Sequence, residues 1–252
     1  MSQNHYHSIH EAGMYNVLSD YYKYTNPELH VYYYHKHLLS LKHAFSHEEK
    51  SAIVADVDRQ KEYGKIRILH GSQNLAIVDI YINGMRMFKE VSFKTMSNDL
   101  TLPAGKYQID IYETGKMIDA LCSQKISVES NIYHTFAFSG SEKKIKIHSF
   151  PEYPVVPPNE TKLRFIQLAE NLPTIDIAVQ KGDTVFPSIL YKGASSYLGL
   201  YPMTVNLEAR NAETKEVIIA FPPIRLEADK TYSAIIVEGH EDKPCELLLF
   251  SC

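Results

Sequence analysis

The residues best placed by type and spacing to do chemistry are two arginine–aspartate pairs. Arg67 and Asp79 recur 97 residues later as Arg164 and Asp176. In each copy, isoleucine, leucine and valine alternate with these charged residues, so both side chains should face outward on neighbouring strands. We predict a cross-strand ion pair in each copy, contributing about 0.2–1 kcal/mol. The alternative is that the aspartates ligate an ion or contact a ligand.

Motifs of common enzymes are missing or incomplete. No G-x-S-x-G elbow occurs, and Ser139-Gly140-Ser141 follows a predicted strand. His70-Gly71-Ser72 places a histidine near a serine, but the second copy has Gln167-Leu168-Ala169 at that position. Neither G-x-G-x-x-G nor a Walker A loop is present. We therefore expect no catalytic residues and no cofactor, and a hydrolase that uses only the first copy is the alternative.

Two tyrosines of the first copy could form a binding face. Tyr81 and Tyr112 alternate with predicted core positions, so they should project from one side of a sheet. Tyrosine on such a face can stack on a sugar or a peptide. It is also an ordinary strand residue.

The amino-terminal segment, residues 1–63, differs from the rest of the chain and is rich in tyrosine and histidine. A first helix is predicted by Met14, Val17, Leu18 and Tyr21, which share one face. Asn26-Pro27-Glu28 is typical of a helix start, with a capping side chain, proline at N1 and an acid at the positive end of the dipole. The second helix then carries an amphipathic stripe of Leu29, Tyr32, Tyr33, Leu39 and Phe45.

A third helix is predicted over residues 47–60, because Ser46-His47-Glu48-Glu49 has the spacing of a capping box. Eight of the 12 histidines lie at or before His47. His43 and His47 are four residues apart, but no acidic or cysteine partner completes a ligand set. We expect no metal site and interpret the segment as a partner-binding helical arm.

The remainder consists of two β-rich repeats, residues 64–150 and 162–252, with a proline-rich linker at 151–161. Asn83-Gly84 between alternating strands predicts a hairpin, and Leu102-Pro103-Ala104-Gly105 favours a type I turn. Short strands at this spacing are typical of an antiparallel sandwich. The fold class is therefore mainly β, with two tandem antiparallel β-sandwich (immunoglobulin-like) domains preceded by a short α-helical segment.

Composition excludes some partners. A formal net charge of −4 and the absence of a lysine or arginine block argue against nucleic-acid binding. No stretch is apolar enough for a transmembrane segment, and the amino terminus lacks a classical signal peptide. We therefore expect cytoplasmic synthesis. Cys122, Cys245 and Cys252 fit neither a disulfide framework nor a metal motif, so reduced thiols are expected.

Four motifs of the first repeat together resemble a known family. They are Ile66-Arg67-Ile68-Leu69-His70, the Asn74 to Ile80 strand, Asn83-Gly84 and the Leu102 to Tyr107 turn. They resemble the bacterial family of domain of unknown function 4397, closely over residues 65–149 and more weakly in the second repeat. The resemblance implies an immunoglobulin-like or transthyretin-like sandwich, often in tandem and often in cell-envelope proteins, with no catalytic signature. The arm is similar in style to spore-coat proteins.

The sequence thus favours a non-enzymatic structural or interaction protein, and the setting expected for it is a spore-associated or cell-envelope assembly. Its partner would be another protein or a second copy of itself, and Tyr32, Tyr33 and Leu39 would provide the docking face of the arm. The alternative is a glycan- or peptide-binding module pair that uses Tyr81 and Tyr112.

Overall fold

The computed structural model describes residues 3–23, 25–45, 62–75, 77–140, 144–240 and 242–251. It is mainly β, with two helices at the amino terminus followed by several sheets, which confirms the fold class expected from the sequence. The helix predicted over residues 47–60 lies outside the described residues.

The two helices form an antiparallel hairpin. They are α1 (Gln3–Tyr22) and α2 (Pro27–Phe45), and the Leu29 amide donates to Asn26 Oδ1 at 3.2 Å, so Asn26 caps α2 as predicted. The seam between them combines small and polar residues with stacked tyrosines, Tyr15 and Tyr22 of α1 against Tyr33 of α2. His37 Nδ1 donates to the Ala12 carbonyl at 2.9 Å, and His30 Nδ1 lies 2.9 Å from the Ser19 carbonyl. These histidines therefore hold the hairpin together.

The first module comprises eight strands in two sheets of order β4-β1-β7-β8 and β3-β2-β5-β6. Period-two alternation puts isoleucine, valine and phenylalanine of both sheets into one shared core, as in a sandwich. The pair β1/β7 is parallel, whereas the other pairs are antiparallel. The strands are β1 (Tyr63–His70), β2 (Val78–Ile82), β3 (Met85–Val91), β4 (Leu100–Pro103), β5 (Gly105–Glu113), β6 (Cys122–Val128), β7 (Tyr133–Ser139) and β8 (Lys146–Glu152).

The second module repeats this arrangement around its own core. Its sheets have the order β12-β9-β17-β18 and β11-β10-β14-β15, with a separate pair β13-β16, and β9/β17 is again parallel. The strands are β9 (Thr161–Gln167), β10 (Ile175–Val179), β11 (Thr184–Ile189), β12 (Leu198–Leu200), β13 (Met203–Val205), β14 (Leu207–Asn211), β15 (Val217–Ala220), β16 (Ile224–Leu226), β17 (Lys230–Glu238) and β18 (Cys245–Ser251).

The outer faces of the sheets β4-β1-β7-β8 and β12-β9-β17-β18 pack on each other. A third apolar cluster joins residues of both modules: Leu69, Ala137, Phe150, Ile166, Leu168, Ile235 and Val237. Since apolar burial is the main driving force of association, the modules are held in one orientation. Pro151 and Glu152, which the sequence analysis placed in the linker, are the last residues of β8.

Beside this cluster lies a buried group of charges. Glu152 Oε1 is 3.0 Å from Arg67 Nη2 and 3.1 Å from Arg164 Nη2, and all three side chains are almost fully buried. Thr135 and Tyr197 donate to the two oxygens of the same carboxylate, at 2.5 and 2.8 Å. Within the described residues, the Glu152 carboxylate therefore joins two guanidinium groups, one from each module.

The two arginines occupy equivalent positions. Arg67 donates through Nη1 to the Ser251 carbonyl at 3.3 Å, and Arg164 donates through Nη1 to the Pro151 carbonyl at 2.8 Å. Each arginine thus bonds the last strand of the opposite module. The repeated arginine seen in the sequence therefore joins the two modules.

The predicted ion pair between Arg67 and Asp79 is wrong. β1 and β2 belong to different sheets of the sandwich, so the two side chains point away from the shared core in different directions. Asp79 instead lies 3.3 Å from Arg86 and accepts the Glu90 amide at 2.8 Å. The outward face of β1, which carries Arg67, is covered by the second module.

The equivalent prediction for the second copy is wrong for the same reason. Arg164 lies on β9 and Asp176 on β10, in different sheets. Asp176 pairs with Lys215 at 2.8 Å and accepts the Ser188 amide at 2.8 Å.

His148 of β8 should respond to mild acid. Burial, then the nearby charges of Lys192 and Lys146, lower its pKa from 6.5 to about 4. Between these values the unfolded chain binds a proton that the folded chain does not, so stability should fall as the pH is lowered from 6.5 towards 4. An NMR titration should show that the His148 imidazole stays neutral down to about pH 4, and its signal should be missing from the His148→Gln variant. Unfolding curves of that variant should lack this part of the pH dependence, and an ordinary imidazole titration would contradict the expectation.

Candidate interaction groove

Helix α2 lies against the β2–β3 hairpin of the first module. Glu28, in the first turn of α2, makes a two-pronged ion pair with Arg86 of β3, with distances of 2.9 Å and 3.1 Å. Arg86 also contacts Asp79. Arginine–carboxylate pairs of this fork geometry are the most specific ion pairs in proteins, so this contact sets the position of α2 on the sheet.

Between α2 and the hairpin runs an open cavity of about 490 Å³, which we name the arm groove. Its lining is mostly apolar, with charged residues at the rim. The lining residues are Glu28, Leu29, Val31, Tyr32, His35, Lys36, Leu39, Tyr81, Gly84, Met85, Arg86 and Met117. Cavities of this size and character commonly hold ligands in proteins.

The structure brings three of the residues singled out from the sequence into this groove, namely Tyr32, Leu39 and Tyr81. Tyr112 packs edge-on against Tyr81, with ring centroids 5.3 Å apart. Tyr33 lies elsewhere, because its ring stacks on two tyrosines of α1 at the seam. The binding roles of these five residues stay a prediction.

Tyr81 is not the open platform that strand alternation suggested. Its side chain is only 5% exposed, because α2 covers this face of the sheet. Burial is the main cause that raises the pKa of its phenol, and Glu28 adds to the effect while Arg86 opposes it. The hydroxyl therefore stays protonated at neutral pH and can donate a hydrogen bond.

A family model described as "Domain of unknown function (DUF4397)" matches residues 64–178. We name residues 64–178 the DUF4397 region, after the family model that they match. The DUF4397 region covers the first module and continues to β10 of the second. It supplies the sheet side of the arm groove, whereas α2 lies outside it.

Several solved structures show remote likeness. The C-terminal domain of AlgF from P. aeruginosa is 15% identical, covering 37% of this chain and 99% of that one, with a TM-score of 0.30. The Bacillus anthracis TIE protein is 12% identical over 70% of this chain and 34% of that one, with a TM-score of 0.24. The CBM26 module of Eubacterium rectale Amy13K, solved with maltoheptaose, is 13% identical over 75% and 96%, with a TM-score of 0.24. No curated protein matches the chain.

The histidine–serine pair of the DUF4397 region is committed to structure. The Ser72 hydroxyl donates to the Gly140 carbonyl at 2.5 Å. The His70 ring packs against Phe138 and Phe93, and both His70 and Ser72 are buried. The serine proton is thus held by the backbone, which does not favour a nucleophilic role.

Two further features of the described residues bear on function. No group of three or more histidine, cysteine or acidic side chains within them is arranged to hold a metal ion. Neither described helix combines the length and hydropathy needed to cross a membrane. Cys122 and Cys245 are free, and burial is the main cause that raises the pKa of both thiols.

Sequence reasoning missed the methionines and the arginine of the groove. Met85 and Arg86 follow Asn83-Gly84, so the predicted hairpin placed them on an exposed β3 without showing that a helix would lie above them. Glu28 was recognised only as a helix-start residue. Met117 lies in an irregular stretch between β5 and β6 that carries no pattern.

Proposed function

We propose that the chain is a non-enzymatic interaction protein that binds a protein partner through the arm groove. The observation that carries this proposal is the apolar cavity between α2 and the DUF4397 sheet, positioned by the Glu28–Arg86 pair. Tyr32, Leu39 and Met85 remain 40–50% exposed there. Exposed apolar side chains gathered in one concave site are characteristic of binding surfaces.

The chemistry of the groove suggests the kind of segment that it binds. Methionine and tyrosine side chains adapt to different apolar groups, and a cavity of about 490 Å³ has room for a few side chains. Lys36 lies over the Tyr32 ring, 5.8 Å from its centroid, and makes no ion pair within the described part of the chain. An apolar peptide segment with an adjacent acidic residue would satisfy both features.

The setting proposed for this activity is a spore-associated or cell-envelope assembly. It rests on the composition of the arm and on the family resemblance. In such an assembly the packed pair of modules would act as a rigid spacer, because the interface clusters hold them in one orientation.

A glycan platform on Tyr81 and Tyr112 is less well supported. Sugar stacking needs an open aromatic face, and Tyr81 lies beneath α2.

Two adjacent leucines of α2 provide a matched test. Leu39 lines the groove, whereas Leu38 is similarly exposed and does not line it. Peptides selected on the full chain from a displayed random library should bind Leu39→Asp at least about tenfold more weakly, since losing one buried leucine contact costs about 1.5–3 kcal/mol. Leu38→Asp should bind them as the unmodified chain does, with affinities measured by fluorescence anisotropy. Circular dichroism should show the same helix content in both variants.

Equal binding by the two variants would place the peptides elsewhere and contradict the proposal. Selection of peptides without apolar residues would contradict the proposed groove chemistry. Binding of cell-wall polysaccharide, with no groove-dependent peptide, would favour the glycan alternative.

A further inference from the structure

Helix α1 carries an apolar stripe on the side away from α2. Met14, Val17 and Tyr21 are 45%, 68% and 71% exposed, and His10 continues the same face one turn earlier. We name these four residues the outer stripe. The sequence analysis grouped Met14, Val17 and Tyr21 as one face of a helix, and such a face is normally buried.

The seam explains why no other described residue covers the outer stripe. The inner face of α1 is formed by Ala12 and Ser19, which are nearly fully buried against α2. Their partners are the histidines of α2, and Tyr15 and Tyr22 complete this face by stacking on Tyr33 of α2. Met14, Val17 and Tyr21 therefore lie outside the seam.

The hairpin and the first module form layers, with α1 outermost. His30, His37 and Ser40 of α2 face α1, whereas Glu28, Tyr32 and Leu39 face the β-sheet. Helical geometry at 100° per residue places these two sets on nearly opposite sides of α2. The outer stripe thus points away from the module, and a second molecule can approach it without meeting the sheets.

The spacing of the outer stripe matches a coiled-coil seam. His10, Met14, Val17 and Tyr21 are separated by four, three and four residues, the a/d pattern of a heptad. The outer stripe contains no acidic residue, lysine or arginine. A face without charge meets no like-charge repulsion when it packs on its own copy.

An antiparallel arrangement makes the outer stripe complementary to itself. With a two-fold axis between Tyr15 and Asn16, Met14 of one copy faces Val17 of the other, and His10 faces Tyr21. An isologous dimer requires this reciprocal pattern, in which i contacts j and j contacts i.

The flanking charges fit the same register. Glu11 of one copy then lies near Leu18 of the second copy, and Asp20 of one copy lies near Gly13 of the second. No carboxylate of one α1 faces a carboxylate of the other at these flanking positions. A parallel arrangement would instead place each residue of the outer stripe against the same residue of the second copy.

We propose that two copies of this chain associate through the outer stripe, with their α1 helices antiparallel and in contact and the two α2 helices on the outer sides of this pair. This inference goes beyond the proposed function, because it concerns α1 and not the arm groove. Either association can therefore fail without the other. The partner is a second copy of the chain, held by apolar contacts and not by ions.

The first test is the mass of the full chain in solution. Sedimentation equilibrium or light scattering should give twice the chain mass for the unmodified protein and for Leu38→Glu. Val17→Glu should give the single chain mass, because it buries a carboxylate in the interface. Circular dichroism should show that Val17→Glu keeps its helices. A monomeric unmodified chain, or a dimeric Val17→Glu variant, would overturn the proposal.

The second test concerns the orientation. Met14→Lys and Val17→Glu should each be monomeric alone, and mixing them should restore a dimer, because position 14 of one copy faces position 17 of the other. A parallel pair would place position 14 against position 14 and would not be rescued. Failure of the mixture to dimerise would therefore overturn the antiparallel arrangement. Leu39→Asp should remain dimeric, which separates this interface from the arm groove.

Discussion

Replacing Glu152 by alanine should lower the free energy of unfolding by about 3–5 kcal/mol, because it leaves two buried guanidinium groups without their shared carboxylate. Arg67 and Arg164 both lie within 3.1 Å of that carboxylate, and neither can release its charge by deprotonation. Urea unfolding followed by circular dichroism should be used to compare the free energy of unfolding of Glu152→Ala with that of the unmodified chain.

The matched control is Glu227→Ala. Glu227 also forms an ion pair, with Lys230 at 2.6 Å, but both side chains are largely exposed. Exposed pairs contribute little, so this substitution should change stability far less than Glu152→Ala does. Similar losses for the two variants would show that the buried cluster has no special role.

The pH dependence should identify the carboxylate. Burial raises the pKa of Glu152, but the charge of Arg164, the Thr135 hydrogen bond and the charge of Arg67 together outweigh it, so the pKa lies below 4.5. A lowered folded-state pKa contributes stability that is present above the unfolded value and is lost as the pH falls below it. Glu152→Gln should therefore lack the part of the acid dependence that occurs below about pH 4.5.

This window lies below most of that of His148, which extends from pH 6.5 to about 4. A double variant, Glu152→Gln with His148→Gln, should show both losses of pH dependence. The two groups can thus be assigned by comparing four unfolding profiles.

A converse substitution tests whether the cluster provides stability or only orientation. Replacing Arg67, Glu152 and Arg164 together by apolar residues of similar size removes both the charges and their desolvation cost. Such replacements in other proteins are neutral or stabilising. We expect a folded triple variant that is far more stable than Glu152→Ala.

The sequence allowed the strands to be predicted more readily than their partners. Alternation around Ile66 and Ile68 placed β1 correctly and put Arg67 on the opposite face. Whether that face meets water or another sheet depends on contacts between residues far apart in the chain. The same limit applied to Tyr81, whose side of the sheet was predicted but whose covering helix was not.

The candidate groove was predictable only in part. Tyr32 and Leu39 follow from the amphipathic stripe of α2, whereas Met85 lies on the second strand of the predicted hairpin and was not singled out. Their meeting depends on the contact between Glu28 and Arg86, two charges 58 residues apart. No local pattern links such residues, so the groove is a property of the folded chain alone.

Gly64→Ala should be the other strongly destabilising single change, with an expected loss of roughly 3 kcal/mol or more from steric overlap. A Cβ atom at Gly64 would lie 2.3 Å from the Glu129 carbonyl oxygen and 2.7 Å from Val128 Cγ1. The first neighbour is backbone, so it cannot move aside by a change of rotamer. β1 must shift as a whole, and this strand carries Arg67 into the module interface.

Gly105→Ala is the control within the same module. The nearest atom to its Cβ would be a Tyr107 ring carbon at 3.9 Å, an ordinary contact. Replacing a glycine without strain restricts the unfolded chain, so stability should be unchanged or slightly higher. Thermal unfolding followed by circular dichroism compares the two variants, and equal melting temperatures would refute the steric explanation.

The repeat itself explains why Gly64 gave no signal in the sequence. The offset of 97 residues that relates Arg67 to Arg164 puts Thr161 at the equivalent position of the second module. Thr161 is fully buried, and its hydroxyl donates to the Lys230 carbonyl at 2.8 Å. The second module therefore has room for a β-branched side chain where the first has none. Thr161→Gly should accordingly remove a buried hydrogen bond and lower stability by about 1–3 kcal/mol. If both modules required glycine at this position, the same substitution would instead raise stability.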